Sequence, residues 1–192
     1  DTTTVALAAV LNADRCEIYT DVDGIYTTDP RVHSGAARLA TVSHDEMLEL
    51  ASLGAGVMHS RSIEFAKKFG VPILVRSSFK DGPGTEISSG TTCRRAVSGV
   101  ALARDEARIT VEDVPDQPGA SHQLFAELAS HGISVDMIIQ NAGTEGTADI
   151  SFTVTSQDVT SALDVTNSVA ERLRAAGVTH NPDVAKVSIV GM

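Results

Sequence analysis

The chain has 192 residues, and 42% of them are hydrophobic, so it can bury a core and is not globally disordered. Its 25 acidic and 15 basic residues give a net charge of −10, which argues against general binding to nucleic acid or to an anionic membrane surface. The two cysteines, Cys16 and Cys93, lie too far apart for a zinc pattern, and this sparse cysteine use predicts a cytoplasmic protein. No apolar run approaches the roughly 20 residues that span a membrane.

Helices and strands alternate through residues 1–79, which is typical of a parallel α/β sheet. Asp1 and the threonines after it favour a helix that begins at Thr2 and continues to about Asn12. Ser43 and Glu46 have the spacing of a capping box at the start of a second helix. The other elements predicted here are a strand over residues 16–20, a helix over 60–69 and a strand over 71–76.

Residues 80–96 are rich in turn-forming residues and are predicted to be a linker. Beyond the linker, strands are predicted over residues 97–104, 108–114, 134–140, 148–155 and 184–190, and helices over 120–130 and 159–176. Their order is β-α-β-β-α-β, the ferredoxin-like unit. Val135, Met137 and Ile139 alternate with their neighbours and are expected to face the core.

Both ends of the sequence break off at predicted elements. Asp1 stands directly before a helix, and the strand at Val187–Met192 has nothing after it to pair with or cover it. We therefore expect the sequence to be a piece of a longer protein.

A dense polar cluster follows the strand over residues 16–20, at the strand end where α/β sheets place their ligands. Asp21 and Asp23 are suited to orient water or a metal ion. Tyr26 is suited to stack on a base, and Arg31 to neutralise phosphate. An ordinary Asp/Gly turn with solvated charges explains the same residues. The chain has no Walker, dinucleotide-binding or HExxH motif, so this cluster carries the main chemical signal.

Two sets of segments carry a family resemblance. The first set reads DTTT at residues 1–4, YTDVDGIYTTDPR at 19–31, EMLELASLGA at 46–55, RSIE at 61–64 and VPILVRSS at 71–78, and it resembles the second half of the aspartate kinase catalytic domain. The second set reads VPDQPG at 114–119 and VDMIIQN at 135–141, and it resembles the ACT domain of the same enzymes. The resemblance implies part of an amino-acid-kinase domain over 1–79, an ACT domain over 97–183 and the first strand of a truncated second ACT unit over 184–192.

By this resemblance, the reaction is transfer of the γ-phosphoryl group of ATP to the β-carboxylate of L-aspartate, with Mg²⁺ bridging the phosphates. A carboxylate is already ionised near neutral pH, so catalysis needs positioning and charge neutralisation but no general base. Asp1 matches the catalytic aspartate that organises lysines around the transferred phosphoryl group. The nucleotide-binding positions that the resemblance implies are Thr20, Asp21, Tyr26, Arg31, Gly56 and Val57, and the sequence identifies no metal ligand.

The chain departs from the family pattern at three places. The family's KFGG phosphate loop and the Gly-rich stretch before Asp1 are absent from this sequence. The family pattern GAKVLHP reads GAGVMHS here, so Gly56 stands where a charged lysine is usual. Lys67 and Lys68 are candidates to replace that lysine, but both are expected on a solvated helix face. Because the second ACT unit is also reduced to residues 187–192, we expect this chain to be inactive by itself.

The ACT-like block has a candidate effector site. A turn at Pro118 and Gly119 exposes backbone N–H groups that suit a carboxylate, while Asp116 suits an amino group. The alternative is that this turn only starts a helix. The resemblance favours a site for lysine and/or threonine, between paired ACT domains of a homodimer or larger assembly, formed by Asp116, Pro118, Gly119, Ser121, Gln140 and Asn141.

Two functions fit the sequence. The first is a feedback-inhibited aspartate kinase at the start of lysine, threonine and methionine synthesis. The second is a non-catalytic, amino-acid-binding subunit that regulates a complete kinase, and Gly56 favours it for this chain alone. The ACT-like block argues against another amino acid kinase, such as one that phosphorylates glutamate. We predict an aspartate kinase.

Overall fold

The computed structural model describes residues 1–90, 96–143 and 146–191. These residues form two compact units, one of Asp1–Ala103 with the C-terminal residues from Val187, the other of Arg104–Lys186. Residues 91–95 of the predicted linker, which include Cys93, lie outside the described residues. So does Met192.

The first unit is built on a four-stranded mixed sheet with the order β1-β3-β4-β2. β1 pairs with β3 in parallel and β2 with β4 in parallel, whereas β3 and β4 are antiparallel. The α/β fold predicted for this part of the chain is therefore confirmed, but the antiparallel pair makes the sheet mixed and not wholly parallel. Its elements are α1 (Thr2–Val10), β1 (Cys16–Thr20), β2 (Thr41–Ser43), α2 (His44–Ser52), α3 (Ser60–Phe69), β3 (Ile73–Ser77) and β4 (Thr85–Ser88).

Local sequence signals set the helix ends in this unit. Ser43 caps α2 and forms the predicted capping box with Glu46, in which each side chain bonds the other's backbone. α3 ends at Gly70, whose φ of 65° is the left-handed conformation that glycine adopts without strain. The apolar faces of the helices pack on the sheet, and the fully buried core includes Val5, Met47, Ile63, Ile73, Val75 and Ile87.

β4 corrects the prediction that residues 80–96 form a linker. Thr85 and Ile87 are fully buried, and the strand pairs with β3 on one side and β2 on the other. The strand has only four residues, which is too few to show a clear alternation of apolar and polar side chains. Turn-forming residues stand on both sides of it, so the sequence contains no signal for an interior strand.

The second unit has the order β5-α4-β6-β7-α5-β8 and a sheet ordered β6-β7-β5-β8. The predicted ferredoxin-like unit is therefore confirmed. Its core joins the sheet to both helices, and Phe125 packs edge-on against buried Phe152 with ring centroids 5.6 Å apart. Its elements are β5 (Gly99–Pro115), α4 (Ala120–Ser130), β6 (Asp136–Ala142), β7 (Thr147–Thr155), α5 (Val159–Leu173) and β8 (Gly177–Val190).

Four expectations for this part of the chain were wrong. β5 is one long strand, because the polar residues near Arg104 continue it without a turn. Met137 and Ile139 are about half exposed (48% and 46%), because β6 is exposed on both faces along its whole length.

The last two errors concern element ends. α5 ends at Leu173 and not at Ala176, because Arg174 adopts the left-handed conformation with φ 58°. β8 begins at Gly177 and not at residue 184.

Within the described ranges, no helix is both long and apolar enough to cross a membrane.

Candidate functional site

Asp1 and the connection between α2 and α3 form one open cavity of about 420 Å³. Asp1 is the N-cap residue of α1, but its carboxylate accepts no capping hydrogen bond from the helix. α1 and α3 meet in the core through Val5 and Ile63, which brings the start of α1 to the α2–α3 connection. The described residues that line the cavity are Asp1, Ala51, Gly54, Ala55, Gly56, Val57, Met58, His59 and Ser60.

The cavity therefore brings together three residues that the sequence singled out: Asp1, Gly56 and Val57. Sequence reasoning missed Ala51, Met58 and Ser60, although Met58 and Ser60 lie in the same seven-residue segment as Gly56. His59 is the N-cap of α3, and its Nδ1 accepts a hydrogen bond from the Arg61 N–H at 3.2 Å. That bond fixes the end of the segment that borders the cavity.

No lysine or arginine is among the described residues that line the cavity. A Cβ atom added at Gly56 meets no other atom within 4 Å, so the position has room for a side chain that glycine does not provide. Lys67 pairs with Asp45 at 2.5 Å, and the Lys68 ammonium lies 5.7 Å from the centre of the Phe69 ring. Both lysines are exposed, as predicted, and neither supplies the missing charge to this cavity.

The polar cluster after β1 lies on a long connection between β1 and β2, outside the cavity lining. Thr20 donates a hydrogen bond to the Asp21 carboxylate at 3.0 Å, and Tyr26 donates one to Asp23 at 2.8 Å. Arg31 forms an ion pair with Asp29 at 3.0 Å, although its side chain is 84% exposed. The connection therefore presents a half-buried phenol and a solvent-facing guanidinium.

Hydrogen bonds shift the pKa of both groups in the direction that keeps them protonated. The bond to Asp23 raises the pKa of the Tyr26 phenol, because ionisation would remove the donor and place two negative charges together. The Asp29 carboxylate raises the pKa of the Arg31 guanidinium, because deprotonation would remove the positive charge that the carboxylate pairs with. The connection therefore carries a neutral phenol and a guanidinium that stays charged and paired with Asp29.

Across the part of the chain that the structure describes, no three His, Cys, Asp or Glu side chains are grouped to hold a metal ion. Asp21 and Asp23 supply oxygen atoms of the kind that Mg²⁺ prefers, but each of them already accepts a hydrogen bond from a neighbour. These carboxylates suit a metal ion that takes most of its ligands from water and phosphate.

In the second unit, the start of α4 lies beside β6. Gly119 is the N-cap of α4 with φ 95°, and no side chain caps this helix end. The Ser121 hydroxyl donates to the Gln140 side-chain oxygen at 3.4 Å, which joins the first turn of α4 to β6. Two of the predicted effector residues, Ser121 and Gln140, are therefore in contact.

The other predicted effector residues lie within a few positions of Ser121 or Gln140 along the chain. Asp116, Pro118 and Asn141 are exposed, and the Asp116 N–H donates to the Gly146 carbonyl at 2.9 Å. Free N–H groups at the start of α4 suit a carboxylate, and the exposed amide and carboxylate groups suit an amino group. The arrangement has the polar groups that a zwitterionic ligand requires.

Two family models match the chain in succession. Residues 1–77 match the amino acid kinase family, and residues 107–174 match the ACT domain. An aspartate kinase of Stutzerimonas stutzeri is 46% identical over 195 residues, a match that covers 100% of this chain and 47% of the relative. The chain spans about half the length of the curated relatives that it matches.

Solved structures give the same result. The structure of E. coli aspartokinase III in complex with aspartate and ADP is 31% identical with a TM-score of 0.76, covering 99% of this chain and 43% of that one. The complex of aspartokinase III with lysine and aspartate is 32% identical with a TM-score of 0.71, covering 99% of this chain and 42% of that one.

Proposed function

Because the chain belongs to the aspartate kinase family, with part of an amino acid kinase domain and an ACT domain, we propose that it acts in the ATP-dependent phosphorylation of the L-aspartate β-carboxylate. Its first unit forms a wall of the nucleotide site, and its ACT domain binds a regulatory amino acid. The observation that carries this proposal is the cavity in which Asp1 faces the segment containing Gly56 and Val57.

The role proposed for each group in the nucleotide site follows from its charge. Aspartate is an ionised nucleophile near neutral pH, so the enzyme must hold two anions in line and neutralise the phosphates. Thr20, Asp21, Tyr26 and Arg31 contact the nucleotide, and Mg²⁺ enters with its phosphates, which provide most of its ligands. Asp1 orients positive groups around the transferred phosphoryl. The described residues that line the cavity include no lysine or arginine, so they do not supply those positive groups.

The effector is lysine and/or threonine, bound where the start of α4 meets β6. The contact between Ser121 and Gln140 supports this position, because it brings a helix N-terminus and an exposed strand end together. The complex of E. coli aspartokinase III with lysine supports lysine as the first effector to test. The exposed edge strand β6, with Met137 and Ile139, favours a site completed by a second ACT domain.

A non-catalytic regulatory subunit is the second candidate, and the uncharged position at Gly56 favours it. The two functions differ in the ligands that they require. A piece of the kinase binds Mg-ATP, whereas a subunit that only senses amino acids binds lysine or threonine and no nucleotide.

Isothermal titration calorimetry of this chain with Mg-ATP, lysine and threonine tests the proposal. We expect Mg-ATP binding that Arg31→Ala weakens about tenfold, the effect of losing one charge-assisted hydrogen bond to phosphate. Arg15→Ala is the matched control, because Arg15 is also exposed and paired with a carboxylate, that of Glu17, away from the loop. In a parallel assay that traps aspartyl phosphate with hydroxylamine, we expect no turnover above the blank.

Each outcome has a separate meaning. Amino acid binding without Mg-ATP binding favours the regulatory subunit. Equal losses in Arg31→Ala and Arg15→Ala contradict the assignment of the loop to the nucleotide. Clear turnover contradicts the conclusion that the uncharged Gly56 leaves this chain inactive.

A further inference from the structure

The loop that presents Tyr26 and Arg31 has a narrow, buried stem. Ile25 and Leu39 enclose the loop, and they are 2% and 5% exposed. The Leu39 N–H donates to the Ile25 carbonyl at 2.8 Å, so the chain leaves and re-enters the core at one place. Between them most residues are exposed or half-buried, and the position of the whole loop depends on how this stem is held.

The hydroxyl of Thr85 joins the two sides of the stem. It accepts a hydrogen bond from the Ile25 N–H at 2.9 Å and donates one to the Leu39 carbonyl at 2.5 Å. Thr85 is fully buried at the start of β4, so water cannot replace these bonds. Gly24 allows the close approach: its φ is +148°, and a Cβ atom there would lie 2.5 Å from the Thr85 hydroxyl oxygen.

A second bond ties the same stem to the residue before Thr85. The Arg38 guanidinium donates to the Gly84 carbonyl. Gly84 has φ +74°, and a Cβ atom at this position would lie 2.3 Å from the Val75 carbonyl oxygen, so the turn into β4 has no room to move toward β3. Both attachments of the loop therefore lead to the start of β4, which the sheet holds between β3 and β2.

We infer that Thr85 is a positioning residue for the nucleotide, because its buried hydroxyl holds the stem of the loop that presents Tyr26 and Arg31. This inference rests on the proposed role of that loop in nucleotide binding. Thr85 acts through the loop and does not itself touch the ligand. Without the hydroxyl, the Ile25 N–H and the Leu39 carbonyl lose a shared partner inside the core, and the loop no longer holds one position.

The test compares Thr85→Val, which keeps the shape and removes the hydroxyl, with Thr85→Ser, which keeps the hydroxyl. Ile87→Val is the control for stability, since Ile87 is fully buried in the same strand and its side chain makes no polar contact with the loop. Two measurements are made on each folded variant: the Kd for Mg-ATP by calorimetry, and the rate at which trypsin cuts between Arg31 and Val32, followed by mass spectrometry. The second measurement reports loop order without a nucleotide.

For Thr85→Val we expect about tenfold faster cleavage and about tenfold weaker Mg-ATP binding, the size expected for one lost buried hydrogen bond. Thr85→Ser and Ile87→Val should stay within about threefold of the parent chain in both. If Thr85→Val does not fold, Gly24→Ala is the deciding variant, because its Cβ displaces the same hydroxyl from the other side.

Faster cleavage with unchanged Kd overturns the positioning role and leaves the proposed function intact. An equal loss of affinity in Ile87→Val also overturns it, since general destabilisation then explains the result. Absence of Mg-ATP binding by the parent chain refutes the proposed nucleotide role of the loop and this inference with it. In that case the cleavage rates still show whether Thr85 orders the loop.

Discussion

Glu46 is a buried carboxylate whose removal gives a sharp test of how the first unit is held together. It is 6% exposed at the start of α2, where one oxygen accepts bonds from the Ser43 N–H at 3.1 Å and the Ser43 hydroxyl at 2.9 Å. Its other oxygen accepts a bond from the Ser98 hydroxyl. Ser98 is also buried, and its N–H donates to the Val190 carbonyl at 2.8 Å. Glu46 thus links α2 to the segment that precedes β5.

The perturbation is Glu46→Gln, combined with Ser98→Ala in a double-mutant cycle. Hydrogen bonds to a charged group contribute about 1.5–3 kcal/mol, and neutralising the acceptor removes roughly half of that, so Glu46→Gln should lower the free energy of unfolding by about 0.75–1.5 kcal/mol. Ser98→Ala should cost a similar amount in the parent chain and about 1 kcal/mol less in the Glu46→Gln background, because the two groups share one bond.

The stabilisation that Glu46 contributes should decrease as the pH falls. Burial alone raises the pKa of Glu46, but the hydrogen bonds from Ser98 and Ser43 outweigh burial and hold the pKa below its ordinary value of 4.5. A carboxyl group whose pKa is lower in the folded state stabilises the fold above its unfolded pKa and loses that contribution as the pH falls through the folded value. The difference between the parent chain and Glu46→Gln should therefore be constant near neutral pH and shrink below about pH 4.5.

Tyrosine fluorescence during urea unfolding measures this unit separately. The chain has no tryptophan, and its two tyrosines, Tyr19 and Tyr26, both lie in the unit that contains Glu46. Strictly additive effects of Glu46→Gln and Ser98→Ala would falsify the coupling through the shared bond. A difference between the parent chain and Glu46→Gln that stays unchanged from pH 7 to pH 3 would contradict the pKa direction.

Two further predictions concern Thr166 and Gly56. Among the described residues, the Thr166 hydroxyl is a buried side-chain oxygen with no hydrogen-bond partner, so Thr166→Val should stabilise the second unit by about 0.5–1 kcal/mol. Circular dichroism at 222 nm should show this gain, whereas an unchanged tyrosine transition confirms that the first unit is unaffected. Gly56→Lys should tighten Mg-ATP binding about tenfold in calorimetry, because it places a cation in the cavity beside Asp1. Gly177→Lys changes the net charge equally at another open position, and equal gains in both variants would contradict a local effect.

The sequence correctly predicted the first and last residues of elements whose ends are determined by neighbouring residues in the chain. β1, α3 and α4 begin and end at the predicted residues, because capping residues and left-handed glycines determine helix ends within a few positions. β4 could not be predicted in this way. A strand of four residues gains its stability from the strands on both sides, and the pairing of β4 with β2 and β3 is not encoded in its own composition.

In the candidate site, too, the sequence did not show which residues the fold brings together. The resemblance identified Asp1, Gly56 and Val57, but only the packing of α1 against α3 places them around one cavity. Thr85 and Ser98 were not identified at all. Hydrophobic periodicity detects apolar faces, and it gives no signal for a buried hydroxyl whose importance lies in partners distant along the chain.

Thr85 and Thr166 show why such residues have to be judged by their contacts. Both are threonines with fully buried side chains, and each can be replaced by valine with almost no change in shape. The Thr85 hydroxyl bonds two backbone groups that have no access to water, so removing it leaves a donor and an acceptor unsatisfied. The Thr166 hydroxyl has no such partner among the described residues, so removing it relieves a cost of burial. The same substitution should therefore have opposite effects on stability at the two positions, and the position where it is destabilising is the one that holds the proposed nucleotide loop.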